Sequence, residues 1–185
     1  MNIGCDLDGV IIDHSYNQAL MLAERGFIIP RRDITKQKLK ELLTPEQYDM
    51  FKRELYDIRA HIAPQISGAF DALSRIASSG HNIRIISRRN ISGAQALQWL
   101  DAHGFTSLIP IERIHFVRTY EEKEQICRKY DIELHIDDSP EVFDCLSTPA
   151  HRILFDPFGH HHFYPRVTLM RSWKQALSYL DCIDQ

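Results

Sequence analysis

Short β-branched runs alternate with amphipathic stretches along most of this chain. Runs at Asn2–Asp6, Ile83–Ser87, Ile114–Val117, Glu133–Asp137 and Arg152–Phe155 are dense in Ile and Val and read as strands. A helical pattern separates most of them, and that alternation builds a parallel sheet covered by helices on both faces. Helix starts are legible as well. Ser92 with Gln95 and Thr119 with Glu122 fit the capping box, in which side chains satisfy the free amides of a first turn. Ser139 ahead of Pro140 puts a capping hydroxyl before a residue whose missing N–H costs nothing there. Trp173, Leu177 and Leu180 recur at helical spacing and predict a final packing helix.

One segment breaks the alternation. The roughly seventy residues between the first two strands exceed what a single crossover helix needs. Thr44-Pro45-Glu46-Gln47 is a proline-bearing capping box, and Tyr48, Phe51, Leu55, Ile58 and Ile62 follow it as one apolar stripe. Ile66, Phe70, Leu73 and Ile76 then supply the crossover helix. The expected division is an α/β core over 1–13 and 65–185, with a small helical insertion over 14–64 directly after the first strand.

Composition adds exclusions. The chain has 185 residues, 44% hydrophobic and 25% charged, which excludes disorder and low-complexity repeats. Its 22 Lys and Arg against 25 Asp and Glu leave a formal charge of −3. That balance argues against a nucleic-acid polymer as partner, because such binding rests on neutralising backbone phosphates. It leaves room for one small phosphorylated ligand. Cys5, Cys127, Cys145 and Cys182 lie far apart without metal-ligand spacing and read as free thiols of a reducing compartment. No apolar run approaches the roughly 18 residues needed to span a bilayer, so no membrane partner is expected. Met1-Asn2-Ile3-Gly4-Cys5-Asp6 has no basic region ahead of an apolar stretch, which makes a cytoplasmic location the expectation.

Chemistry concentrates at strand ends. In Cys5-Asp6-Leu7-Asp8-Gly9-Val10 two carboxylates two residues apart project to one side, and Gly9 permits a sharp turn. A calcium loop of the EF-hand kind fails, since its fifth and twelfth positions would be Val10 and Asn17. Asp137-Asp138 closes a second strand, and one parallel sheet would gather all four carboxylates at the same edge. Two such charges about 4 Å apart repel by about 4 kcal/mol at an effective dielectric of 20. A cation relieves that repulsion, and oxygen ligands without His or Cys partners point to Mg²⁺. Lys123 sits early in the helix capped by Thr119, where a cation opposes the helix dipole and a functional reason is worth seeking. Ser87 ends the second strand, where a hydroxyl and the following amides make a plausible phosphate cradle.

Taken in order, Asp6-Leu7-Asp8-Gly9-Val10, Ser87, Lys123 and Asp137-Asp138 resemble the motifs of the haloacid dehalogenase (HAD) superfamily of phosphohydrolases over nearly the whole chain. The insertion after the first motif resembles the superfamily's helical cap. Ile132 to Glu141, Trp99-Leu100 and the hydroxyl and arginine of Ser87-Arg88-Arg89 resemble most the branch of 5′(3′)-deoxyribonucleotidases and bacterial nucleotidases. The resemblance implies a Rossmann-like α/β core with a cap and a Mg²⁺-dependent phosphatase of small monoesters, with a nucleoside 5′-monophosphate as the candidate. In that reading Asp6 is the nucleophile that forms an aspartyl-phosphate, and Asp8 is the general acid and base. Asp6, the main-chain carbonyl of Asp8, and Asp137 hold the metal. Ser87, Arg88 and Lys123 bind the phosphoryl group, while Asp138 either completes the metal site or orients Lys123. A phosphotransferase using the same intermediate, or a silent module that binds a phosphorylated metabolite, are the alternatives.

Three further features tempt without deciding. Gly159-His160-His161-His162 reads as a polar loop beside the active edge rather than a metal cluster, because consecutive residues cannot all face one ion. His135, inside a strand, reads as a hydrogen-bonded core histidine, and Arg31-Arg32 as a solvated turn.

Overall fold

The computed structural model describes residues 1–89 and 93–183. Six strands, β1 (Asn2–Cys5), β2 (Asn82–Arg88), β3 (Ile114–Val117), β4 (Leu134–Asp137), β5 (His151–Phe155) and β6 (Thr168–Met170), pair in parallel in the order β3-β2-β1-β4-β5-β6. Helices α1 (Ser15–Glu24), α2 (Lys36–Leu42) and α3 (Pro45–Arg53) lie between β1 and β2, followed by α4 (Ala69–Ser78). The remainder are α5 (Ala94–Ala102), α6 (Phe105–Leu108), α7 (Tyr120–Lys129), α8 (Val142–Cys145) and α9 (Trp173–Ile183). Strand alternation divides the apolar side chains between two faces. Ile85 joins Ile3, Leu73, Trp99 and Trp173 on one face, while Ile86 joins Cys127, Phe143 and Leu154 on the other. The α/β class with helices on both faces is therefore what the alternating pattern predicts.

Strand order reverses between β1 and β4, because β2 and β3 build outward on one side and β5 and β6 on the other. In open parallel sheets a crevice opens at such a point, beyond the carboxyl ends of the strands. Asp6 and Asp137 stand at that reversal.

The segment between β1 and β2 packs partly on itself. Met21, Leu22, Leu39, Phe51 and Leu55 form a separate apolar cluster. Thr44 caps α3 reciprocally with Gln47, with bonds of 3.3 Å to the Gln47 amide and 2.9 Å from the Thr44 amide. The apolar stripe expected to run on through Ile58 and Ile62 does not hold. One π turn over Glu54–Ile58 adds a residue to the helical repeat, so Ile58 and Ile62 are exposed while Leu55 and Ala60 are buried. Wider turns of this kind recur at functional sites, and this one turns Tyr56 toward the crevice.

Other local expectations shift as well. β6 was not anticipated; only three residues long at the sheet edge, it lacks a run that periodicity can detect. α8 starts at Val142 rather than directly after Ser139; the Ser139 amide donates to the Asp137 carboxylate at 3.0 Å, and the turn ahead of α8 closes from the Val142 amide to the Ser139 carbonyl at 3.2 Å. Thr119 caps α7 at the Glu122 amide, but the Glu122 carboxylate accepts from the Arg118 amide instead of closing the box. The Ser92 cap lies outside the described residues. Among the described residues no helix is long and apolar enough to cross a membrane.

Candidate active site

β1 delivers Asp6 to the crevice. The Asp6 amide still donates to the Ile136 carbonyl at 2.8 Å, so the chain is tied to β4 where its carboxylate emerges. β4 ends on Asp137, and α7 lowers Lys123 between the two. Lys123 Nζ donates to Asp6 Oδ1 at 2.9 Å and to Asp137 Oδ2 at 2.6 Å, with the residue only 1% exposed. Burial opposes its charge, but Asp137 and Asp6 outweigh burial and hold the ammonium well above its ordinary range. A lysine locally disfavoured near a helix start is thus held by two carboxylates from two strands.

One cation does not balance the acids around it. Carboxylate oxygens of Asp6, Asp137 and Asp138 lie within 4.8 Å of one another. Burial, then Asp6, Asp137 and Asp8, push the Asp138 carboxyl well above its usual range. Burial likewise raises Asp6, with Lys123 pulling the other way. Asp137 behaves differently: burial would raise it, but Lys123 and His135 hold it below the ordinary value. Three oxygen donors at this spacing with surplus negative charge fit a hard divalent cation. Gly9 keeps the group compact. Its φ is +81°, and a Cβ there would collide with the Asp138 carboxylate.

Asp8 faces a different set. Its carboxylate meets His14 Nε2 at 2.6 Å, Arg89 Nε at 2.9 Å and a second Arg89 nitrogen. Burial opposes ionisation, but Arg89 and His14 hold this carboxyl far below its usual range. The side chain therefore stands outside the carboxylate trio, and Asp138 is the third side chain in that group. Tyr56 sets its ring edge-on to His14 at 5.0 Å and lies under the Arg89 guanidinium.

Ser87 is buried at the end of β2, and its Oγ has no hydrogen-bond partner among the described residues. Arg88 is exposed, stacks over Tyr120 at 4.4 Å and reaches the cavity wall. Arg89, not Arg88, contacts Asp8. The wall also takes in Lys36, Lys40, Tyr48 and Tyr56 from the helical segment, enclosing about 1290 Å³. Small-molecule sites ordinarily span roughly 300–1,000 Å³, so a ligand of nucleotide size has room.

The remaining candidates separate. His160 and His161 face the cavity because Asp156 accepts their amides at 2.9 and 2.8 Å, and His160 Nε2 meets the Arg32 carbonyl. Arg31 is not merely solvated: it bonds to Asp13 at 2.5 Å and to Ser15 at 3.0 Å, while Arg32 stays exposed. Sequence reasoning missed His14 and Asp156, although it placed the loop that Asp156 holds beside the active edge. Only a carboxylate at a strand end hinted at the second, and nothing at the first.

Comparison with known proteins agrees with this geometry. The family model described as 5′ nucleotidase, deoxy (pyrimidine), cytosolic type C protein (NT5C) matches residues 1–181. A curated protein of Oceanobacillus iheyensis, named as a candidate nucleotidase, is 26% identical over 195 aligned residues covering 96% of this chain and 97% of that protein. A conserved haloacid dehalogenase-like protein of Agrobacterium tumefaciens has a similar structure, with TM-score 0.68, 16% identity and 99% and 98% of the two chains covered. So has a HAD-type hydrolase of Bacillus subtilis described as bound to magnesium, with TM-score 0.64, 12% identity and 97% and 98% coverage. At such identities the two structures establish the shared fold alone.

Proposed function

Because the chain belongs to the NT5C nucleotidase family of HAD phosphohydrolases, and so is a phosphoric monoester hydrolase, we propose that it hydrolyses a nucleoside 5′-monophosphate or similar small monoester with Mg²⁺. One observation carries the proposal: Lys123 bridges Asp6 and Asp137 at the point where strand order reverses.

Asp6 is the nucleophile. Its oxygen bonds to phosphorus as the ester P–O bond breaks, and Asp8 gives a proton to the departing oxygen. Water then attacks phosphorus, Asp8 takes the proton from that water, and inorganic phosphate leaves with the Asp6 carboxylate restored. Asp8 is ionised in the free protein because Arg89 and His14 hold it so. An arriving phosphoryl group competes for Arg89, which loosens that hold, and Asp8 takes up a proton from solvent before giving it to the departing oxygen. Lys123 keeps the Asp6 oxygen placed and stabilises the transferring group. Ser87 offers a hydroxyl with no competing partner among the described residues, and Arg88 adds charge at the wall. Asp6, Asp137 and Asp138, with the main-chain carbonyl of Asp8, would hold Mg²⁺, which neutralises charge on the phosphoryl oxygens when bound. The helical segment 14–64 acts as a cap, excluding water and polymeric substrates.

Phosphate release from a panel of nucleoside and sugar monophosphates tests this. Turnover is expected with Mg²⁺, not with EDTA, and not in Asp6→Asn. No release from any monoester would reject hydrolysis, and transfer to an added alcohol would make the enzyme a phosphotransferase instead.

A further inference from the structure

His135 is fully buried on β4, two residues before Asp137, so the two side chains project from the same face of the strand. Its Nε2 lies 3.1 Å from Asp137 Oδ2, the oxygen that also takes the Lys123 bond. Its Nδ1 has no partner among the described residues. The ring fits only because its neighbour in the sheet is a glycine. Gly4 pairs with His135 across β1 and β4, and a Cβ on Gly4 would stand 2.5 Å from Nδ1.

Packing alone does not explain this arrangement. A buried polar atom left without a partner is destabilising, and leucine or phenylalanine would fill an apolar space without that penalty. The proton belongs on Nε2, because the other tautomer would set a lone pair against a carboxylate and leave an orphan N–H facing Gly4. Lys123 cannot orient Asp137 by itself, since it is shared with Asp6. The Ser139 amide fixes Oδ1 at 3.0 Å, and the histidine adds to Lys123 a second donor on Oδ2, from within the strand itself.

We propose that His135 is a positioning residue for the divalent-metal site, seated in the space left by Gly4 and holding the Asp137 carboxylate where it converges with Asp6 and Asp138. The inference rests on the metal reading given above. Partners of this kind fix the rotamer of a ligating carboxylate, and their loss typically weakens metal binding by roughly 10–100-fold.

The test uses the full chain without substrate. Mn²⁺ affinity is measured by electron paramagnetic resonance, and Tm in EDTA reports the metal-free fold. A glutamine amide reaches the Nε2 position whereas an asparagine amide does not. His135→Gln should therefore bind Mn²⁺ within about threefold of the parent, and His135→Asn should lose roughly tenfold or more. Parent-like binding by His135→Asn would overturn the proposal, as would an equal loss in both variants matched by an equal fall in Tm, which marks packing. A parent protein that binds no Mn²⁺ would reject the metal reading itself, a separate outcome.

Discussion

Lys123 and Asp138 show how far charge balance governs individual residues here. Lys123 is the counter-ion of two buried carboxylates, and removing one partner of such a group commonly costs about 3–5 kcal/mol. Lys123→Met should therefore lose phosphatase activity and melt well below the parent in EDTA; an unchanged melt would show that Asp6 and Asp137 need no cation. Asp138 works in the opposite direction. Its carboxyl is raised by burial and by the other aspartates, so the metal-free fold binds a proton more tightly than the unfolded chain does. Stability is then lost as pH rises above the ordinary aspartate value. Asp138→Asn should raise Tm in EDTA at pH 8 while reducing the Mg²⁺-induced shift, and a lower Tm would contradict the repulsion. The strand-end acids and Lys123 were legible because strand ends and helix starts mark themselves in the sequence. Arg89 was harder to distinguish from Arg88. Arg88 is the last residue of β2 and stacks on Tyr120, whereas the residue after it reaches Asp8. The contact from His14 depends on a tertiary turn that periodicity does not encode.

Elements were legible where a single period ran uninterrupted. Five strands fall within a residue or so of their β-branched runs, since burial on both faces demands continuous Ile, Val and Leu. The π turn after α3 defeated the helical period by a single inserted residue, and that residue brings Tyr56 against His14 and Arg89. α7 depends on a second buried charge that the pattern did not reveal. Glu124 accepts from the Ser147 and Thr148 hydroxyls at 2.7 and 2.8 Å and from both amides, joining the helix to the loop before β5. Burial works against its charge, but these bonds win and lower its carboxyl below the ordinary 4.5. A depressed acid contributes stability above its unfolded value, and that contribution disappears as pH falls through the folded value. Glu124→Gln should cost about 1 kcal/mol at pH 7, with the gap to the parent closing in urea melts as pH falls below the ordinary glutamate value. A pH-independent gap would assign the loss to packing.

At the scale of the whole molecule, the reversal of strand order and the helical insertion act together. The sheet fixes the acids at its edge, while the segment from α1 to the π turn closes over them with a core largely its own. Among the described residues, His14 on Asp8 and Arg31 on Asp13 tie this segment to the end of β1, and across the cleft Lys36 approaches Glu141 at 3.8 Å while His160 meets the Arg32 carbonyl. Exposed pairs such as Lys36–Glu141 contribute little, so the acidic edge should dominate how the fold responds to its surroundings. Metal that binds only the folded state stabilises by about 2.7 kcal/mol at 100 times its dissociation constant. For a chain of this size that is a rise in Tm of about 5–10 °C. Protons compete for Asp6 and Asp138, both raised above the ordinary aspartate range, so the same Mg²⁺ concentration should give a larger rise at pH 8 than at pH 5. Differential scanning fluorimetry at the two pH values, with EDTA controls, measures it. Equal shifts would mean that the ion binds away from these carboxylates, and no shift at either pH would leave the surplus charge at the sheet edge balanced by something other than a metal.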